Sequence, residues 1–302
     1  MSRETFRRTL RGKGPVSLKD SSTRKREGEI LHIAKSPVVT MAPTTPIHDA
    51  IKIMANEGFR RIPIADPGTK KLAGIVTATD IIDYLGGGKK FEIIQQKFAG
   101  NIFKAINEPI KIVMTQKVFH VNTTAKIGEA IQLMKEQNVG GLPVVDSENR
   151  VRAIITERDI ARMFAERLSG VKVSELMTKN VVTALITTTI FETERTMIMQ
   201  GFRRLPIISD SKVVGIITAM DILRFFGSGE VFKNLQSGTI TQVLNTPALK
   251  IAARDVVTVS PEMDVGQAAK VMDEKNLGAL PVVENTKLIG IITERDFFKI
   301  IE

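Results

Sequence analysis

Apolar residues recur along this chain in two rhythms, and the pair of rhythms comes round four times. In IHDAIKIMANEG (47–58), Ile47, Ala50, Ile51 and Met54 fall on one helical face, and IGEAIQLMKEQN and VGQAAKVMDEKN repeat the spacing. A short apolar run follows, RIPIAD in the first case, with proline near its start, where a missing N–H costs least in a strand. A polar turn such as DPGTKK or DSK leads to a second apolar strand, LAGIVT in the first case. A further helix then opens at T-x-x-D and continues as DIIDYL, DIARMF, DILRFF or DFFKII. The pattern predicts an α/β chain of α+β repeats, strand–helix–strand–strand–helix, each about sixty residues long. One such unit alone makes a marginal core, so the repeats are expected to pair.

The repeats come in two dialects. The first and third read GFRR[IL]P…TAxDI, and the second and fourth read N[VL]G[GA]LPVV…TERD. Alternation of this kind implies that a pair was the unit of duplication. The boundaries read as a basic tail over 1–29, a first repeat over 30–86, and a linker helix with the second repeat over 87–168. The third repeat covers 171–227, and a linker with the fourth covers 228–302, so the expected modules are 30–168 and 171–302. Gly86-Gly87-Gly88 and Gly227-Ser228-Gly229 lack the lysine and spacing of a phosphate loop and read as helix termination and linker.

Composition changes this picture in few places. Without cysteine there is no disulfide, thiolate metal site or cysteine nucleophile. No run of eighteen apolar residues is present to span a membrane, and the basic N-terminus lacks the apolar core of a secretory signal, so a cytoplasmic protein is expected. The formal charge of +10 sits largely in residues 1–28, where nine Lys/Arg face three Asp/Glu. That tail is either a solvated arm or a contact for nucleic acid or another acidic partner.

The T-x-x-D turns carry the candidate chemistry. Thr77/Asp80, Thr156/Asp159, Thr218/Asp221 and Thr293/Asp296 fit capping-box grammar, in which threonine accepts from a helix amide and the acid reaches back to the cap. Four unvarying occurrences, each after an apolar strand, also suit a ligand site. Helix amides and threonine hydroxyls can meet phosphate or sugar oxygens, and aspartate can accept both hydroxyls of a ribose. Arg60, Arg61, Arg203 and Arg204 stand just before the strand prolines, while Arg158 and Arg295 stand inside TERD. Arginine suits bidentate phosphate binding, and it equally suits pairing with acids such as Asp66 or Glu157.

This grammar resembles the CBS domain over residues from about 35 to 302, with greatest likeness to archaeal four-CBS proteins related to the regulatory gamma subunit of the AMP-activated protein kinase. The resemblance implies two Bateman modules binding AMP, ADP or ATP in clefts between paired repeats. It assigns ribose to Asp80, Asp159, Asp221 and Asp296, and phosphate to Arg60, Arg61, Arg203, Arg204, Arg158 and Arg295. Residues near Val39, Phe119, Val182 and Val257 would line the adenine. His120 departs from the pattern, since the other repeats carry Thr40, Thr183 and Thr258 there.

The resulting expectation is a non-catalytic adenine-nucleotide sensor with no catalytic cofactor, acting on a regulated protein and capable of forming a homodimer. S-adenosylmethionine is disfavoured as ligand because a sulfonium gains nothing from paired arginines. A second class is nucleic-acid binding through the tail. An enzyme is the third and weakest class: His32, His48 and His120 show no metal-ligand spacing, and no nucleophile motif is present.

Overall fold

The computed structural model describes residues 29–165, 168–229, 231 and 240–301. Residues 1–28 of the basic tail and residues 232–239 of the linker expected after the third repeat lie outside those residues.

Each repeat follows from its sequence pattern. The leading helices Ile47–Glu57, Ile127–Glu136 and Val265–Glu274 bury the predicted apolar stripe, ending in Met54, Met134 and Met272. A tight hairpin follows, formed in the first repeat by Arg61–Ala65 and Leu72–Thr77. Its turn closes because Asp66 Oδ1 accepts from the Thr69 amide at 2.7 Å and from the Thr69 hydroxyl at 2.8 Å. The third and fourth repeats use two-residue turns, Asp210-Ser211 and Asn285-Thr286, with φ between 48° and 69°. Both central residues at positive φ match the twist of the flanking strands.

The prolines fall where the hairpin needs no donor. Pro63, Pro143, Pro206 and Pro281 stand opposite Ile75, Ile154, Ile216 and Ile291. The isoleucines turn their own N–H and C=O the other way. Ile75 exchanges two backbone bonds with Thr115, each 2.9 Å, and Ile154, Ile216 and Ile291 do so with Lys35, Ala253 and Thr178. These pairings exchange segments between sequence neighbours. The opening stretch of the first repeat, through Lys35, completes the sheet of the second, and the stretch around Thr115, ahead of the second repeat's leading helix, completes that of the first.

The chain divides into two compact units. One holds Val39–Val118 and Val182–Val256, the first and third repeats. The other holds the residues up to Val38 with Phe119–Val181 and Val257–Glu302, the second and fourth. Each sequential module expected over 30–168 and 171–302 gives one repeat to each unit. Like dialect therefore packs with like.

In the first–third unit, the first repeat's closing helix Ala78–Ile82 runs into a π turn, Asp83–Gly87. Gly86 and Gly87 are buried there against the third repeat's leading helix Ile190–Gln200. A Cβ on Gly87 would lie 2.9 Å from the backbone oxygen of Glu194. The glycine run ends the helix, as expected, and beyond the expected linker role it is also a packing surface. The connection beyond it carries the expected helix, Phe91–Phe98, followed by Ile102–Ile106.

In the second–fourth unit, Phe164 and Phe297 meet at 5.5 Å between ring centroids, within a core of Met134, Leu142, Ile155, Leu280 and Ile292. Among the described residues no helix is long and apolar enough to cross a membrane.

Candidate functional site

The four T-x-x-D turns fold alike. Each threonine ends its strand with extended backbone and caps the closing helix. The threonine N–H donates to aspartate Oδ2 at 2.9, 2.8, 2.9 and 2.8 Å in chain order. The threonine hydroxyl donates to the same oxygen at 2.6, 2.6, 2.7 and 2.8 Å. The capping reading of the motif is realised four times. It commits the hydroxyl proton to the carboxylate, so Thr77, Thr156, Thr218 and Thr293 can offer a ligand only lone pairs.

The capping box leaves one oxygen of each acid facing elsewhere, and Oδ1 meets a cation in every repeat. Lys90 Nζ reaches Asp80 at 2.6 Å, Arg224 reaches Asp221 at 2.8 Å and Lys299 reaches Asp296 at 2.7 Å. Arg162 stands at 4.0 Å from Asp159. These cations were legible as a pattern, because Arg162, Arg224 and Lys299 each follow their aspartate by three residues, one helical turn on. The first repeat has Asp83 at that place. Lys90, from the connection, does the work there, and it also donates to Val113 O at 2.8 Å. A carboxylate has about four lone-pair sites, so each Oδ1 retains room for a further donor. Asp159 titrates above its ordinary range: burial raises it, and the Thr156 hydrogen bonds offset this only in part.

The hairpin register brings the arginine pairs of the first and third repeats to these turns. Arg61 stands opposite Thr77 and Arg204 opposite Thr218. The carbonyls of Arg60 and Arg203 accept from the Ala78 and Ala219 amides at 2.9 and 3.0 Å, the first residues after the caps. All four arginines are half-buried. The second and fourth repeats place Gly141 and Ala279 at the same register positions.

Arg158 and Arg295 are engaged differently. Arg158 Nε donates to Glu294 at 2.7 Å, and Arg295 donates to Glu157 at 3.3 Å. Both glutamates are nearly inaccessible, at 2 % for Glu157 and 3 % for Glu294. Arg158 further contacts Asn276, and Arg295 donates to Met134 O at 3.3 Å. The two guanidinium groups expected to meet phosphate form reciprocal ion pairs between the second and fourth repeats. Releasing either arginine would take an ion-pair partner from a buried carboxylate, which costs free energy. Glu157 is one of the alternative partners that the sequence offers. Its burial is visible only in the fold.

Val39, Phe119 and Val182 are exposed at 44, 46 and 36 %, and Val257 is half-buried. They occupy one equivalent position, ahead of the leading helix in each repeat.

The CBS domain model matches four segments, 29–87, 110–166, 173–228 and 249–302, so the chain belongs to the CBS-domain family and carries four such domains. Within that family it resembles protein MJ1225 of Methanocaldococcus jannaschii, 37% identical over 273 residues covering 89% of this chain and 98% of that protein. The crystal structure of MJ1225, described there as a proposed archaeal homologue of g-AMPK, matches with a TM-score of 0.86 at 36% identity, over 90% of this chain and 99% of the other. The 33.4 kDa protein in the ribosomal RNA operon of Thermofilum pendens is 32% identical over 267 residues, 88% of this chain and 89% of the relative.

Proposed function

We propose that this protein is a non-catalytic cytoplasmic sensor of adenine nucleotides that regulates a partner protein. Asp80, Asp159, Asp221 and Asp296 accept the ribose hydroxyls on Oδ1. Arg60, Arg61, Arg203 and Arg204 neutralise phosphate. Val39, Phe119, Val182 and Val257 offer apolar surface to adenine. The observation carrying this reading is the register that sets Arg61 across from Thr77 and Arg204 across from Thr218, so that each arginine stands across the hairpin from the capping threonine of a T-x-x-D turn. Likeness to a structure described as a proposed homologue of g-AMPK supports it. Arg158 and Arg295 are assigned to holding the second and fourth repeats together, because both already carry buried partners.

Calorimetric titration with AMP, ADP, ATP and S-adenosylmethionine tests the reading. Binding of at least one adenine nucleotide below about millimolar is expected, a free energy near −4 kcal/mol or better. It should weaken in Arg61→Met and Arg204→Met and be lost when all four aspartates become asparagine, which retains a side-chain acceptor at the cap. Absence of binding, or binding indifferent to the aspartates in folded protein, overturns it.

A further inference from the structure

The third repeat's leading helix breaks a rule that its counterparts keep. Three residues before the buried methionine stand Ile51, Ile131 and Ala269, but here the residue is Glu194. It is fully buried, and among the described residues neither carboxyl oxygen has a hydrogen-bond partner. The π turn Asp83–Gly87 closes directly over it. A Cβ on Gly86 would lie 2.5 Å from Glu194 Oε2, and the Leu244 methyls stand 3.0 Å from the same point. Only glycine lets the two segments approach this closely.

Among the described residues no neighbouring charge compensates. The π turn brings Asp83 and Tyr84, the closing helix before it Asp80, the third repeat's closing helix Asp221 and Arg224, and its strand Arg204. Glu192 and Arg195 share the helix itself. Tyr84 donates its hydroxyl to Ala105 O, Arg224 serves Asp221, and Arg195 lies over the Phe191 ring. An ionised carboxylate enclosed without a cation or donor is strongly disfavoured, whereas the neutral acid fits.

We propose that Glu194 and the π turn form a proton-operated lock between the first and third repeats: the neutral acid closes the contact, and loss of its proton forces the turn away. The lock has a route to the closing turn. Asp83 opens the π turn, and Lys90 lies 3.9 Å from Asp83 and 2.6 Å from Asp80. Displacing the turn therefore disturbs the clamp on Asp80. That link to Asp80 rests on the nucleotide reading, but the lock itself does not.

Burial holds the Glu194 carboxyl well above its ordinary 4.5 in the folded protein, and unfolding restores the ordinary value. The stability it contributes is complete below the unfolded value and is lost as pH rises toward the folded one. The experiment is urea unfolding from pH 5 to 8 on the wild type, Glu194→Gln and Glu194→Ile, with hydrogen exchange of residues 83–90 corrected for intrinsic rates. The wild-type folding constant should fall about tenfold per pH unit relative to Glu194→Gln while the folded acid stays neutral. Glu194→Ile, which restores the residue type of Ile51, gives the same comparison if the glutamine variant does not fold. Protection of 83–90 should decline with pH in the wild type alone. Profiles parallel within about twofold across all three proteins overturn the lock. Protection of 83–90 that tracks the variants at every pH overturns the involvement of the π turn. Neither result bears on nucleotide affinity at pH 7, which tests the other reading separately.

Discussion

Replacing Arg158 with alanine removes the cation from Glu294, a carboxylate only 3 % exposed, while the rest of the second–fourth contact stays in place. Breaking a buried ion pair from one side costs about 3–5 kcal/mol, most of it the penalty of a charge left without compensation. Arg158 is itself 21 % exposed, so solvent can reach the vacated space and the lower end, about 3 kcal/mol, is expected. Arg295→Ala should cost less, about 1–2 kcal/mol, because Arg295 is 33 % exposed and its bond to Glu157 is longer, at 3.3 Å. The double variant Arg158→Met with Glu294→Leu removes both charges and keeps the volume, so it should recover most of the loss. Urea unfolding measures these differences. A companion thermal melt should shift by about 2–4 °C per kcal/mol for a unit of this size. An Arg158→Ala protein within about 0.5 kcal/mol of wild type would refute the burial argument. So would a double variant as unstable as the sum of the singles, since coupled neighbours are non-additive.

Two glycines should respond oppositely to alanine. Gly87→Ala drives a methyl to 2.9 Å from a backbone oxygen, which cannot swing aside, and about 1–3 kcal/mol of stability should be lost. Gly128→Ala meets nothing within 4 Å inside the helix Ile127–Glu136 and should gain about 0.5–1 kcal/mol; equal effects in a melt would sink the steric reading. Asp264, the cap of Val265–Glu274, is raised by burial but lowered further by the amides of Ser169, Gly266 and Gly170, so it titrates below its ordinary 3.8. Its contribution is present above pH 3.8 and is lost as pH falls through the folded value. Asp264→Ala should therefore cost about 1–2 kcal/mol at pH 7, and the difference should shrink below pH 3.8; a gap independent of pH would refute the assignment.

The units, hairpins, proline positions and capping boxes were legible because each is local, fixed by a period of 2 or 3.6 or by a turn residue. What stayed hidden was which surface meets which. The stripe through Ile47, Ala50, Ile51 and Met54 reports that a face is buried, not that it packs against the third repeat. Lys35 pairing with Ile154 joins residues 119 apart, and nothing in either segment names the other. Glu194 occupies an apolar slot in the helical period, yet a lone glutamate in sequence reads as a solvated residue until its enclosure is seen. Arg158 fits a phosphate role by position, and nothing in its own segment names Glu294, its ion-pair partner 136 residues distant.

The two dialects follow from who packs with whom. Behind the cap, the first and third repeats carry Ala78 and Ala219, both buried. The second and fourth carry Glu157 and Glu294 at those places, each met by the other's arginine. An alanine repeat set against a TERD repeat would bury a glutamate with no guanidinium to answer it, at a cost of several kcal/mol. The like–like contacts avoid that cost, and the mismatch disfavours the mixed ones. Alternation along the chain is therefore a record of packing specificity as well as ancestry, written in the residue directly after each capping threonine.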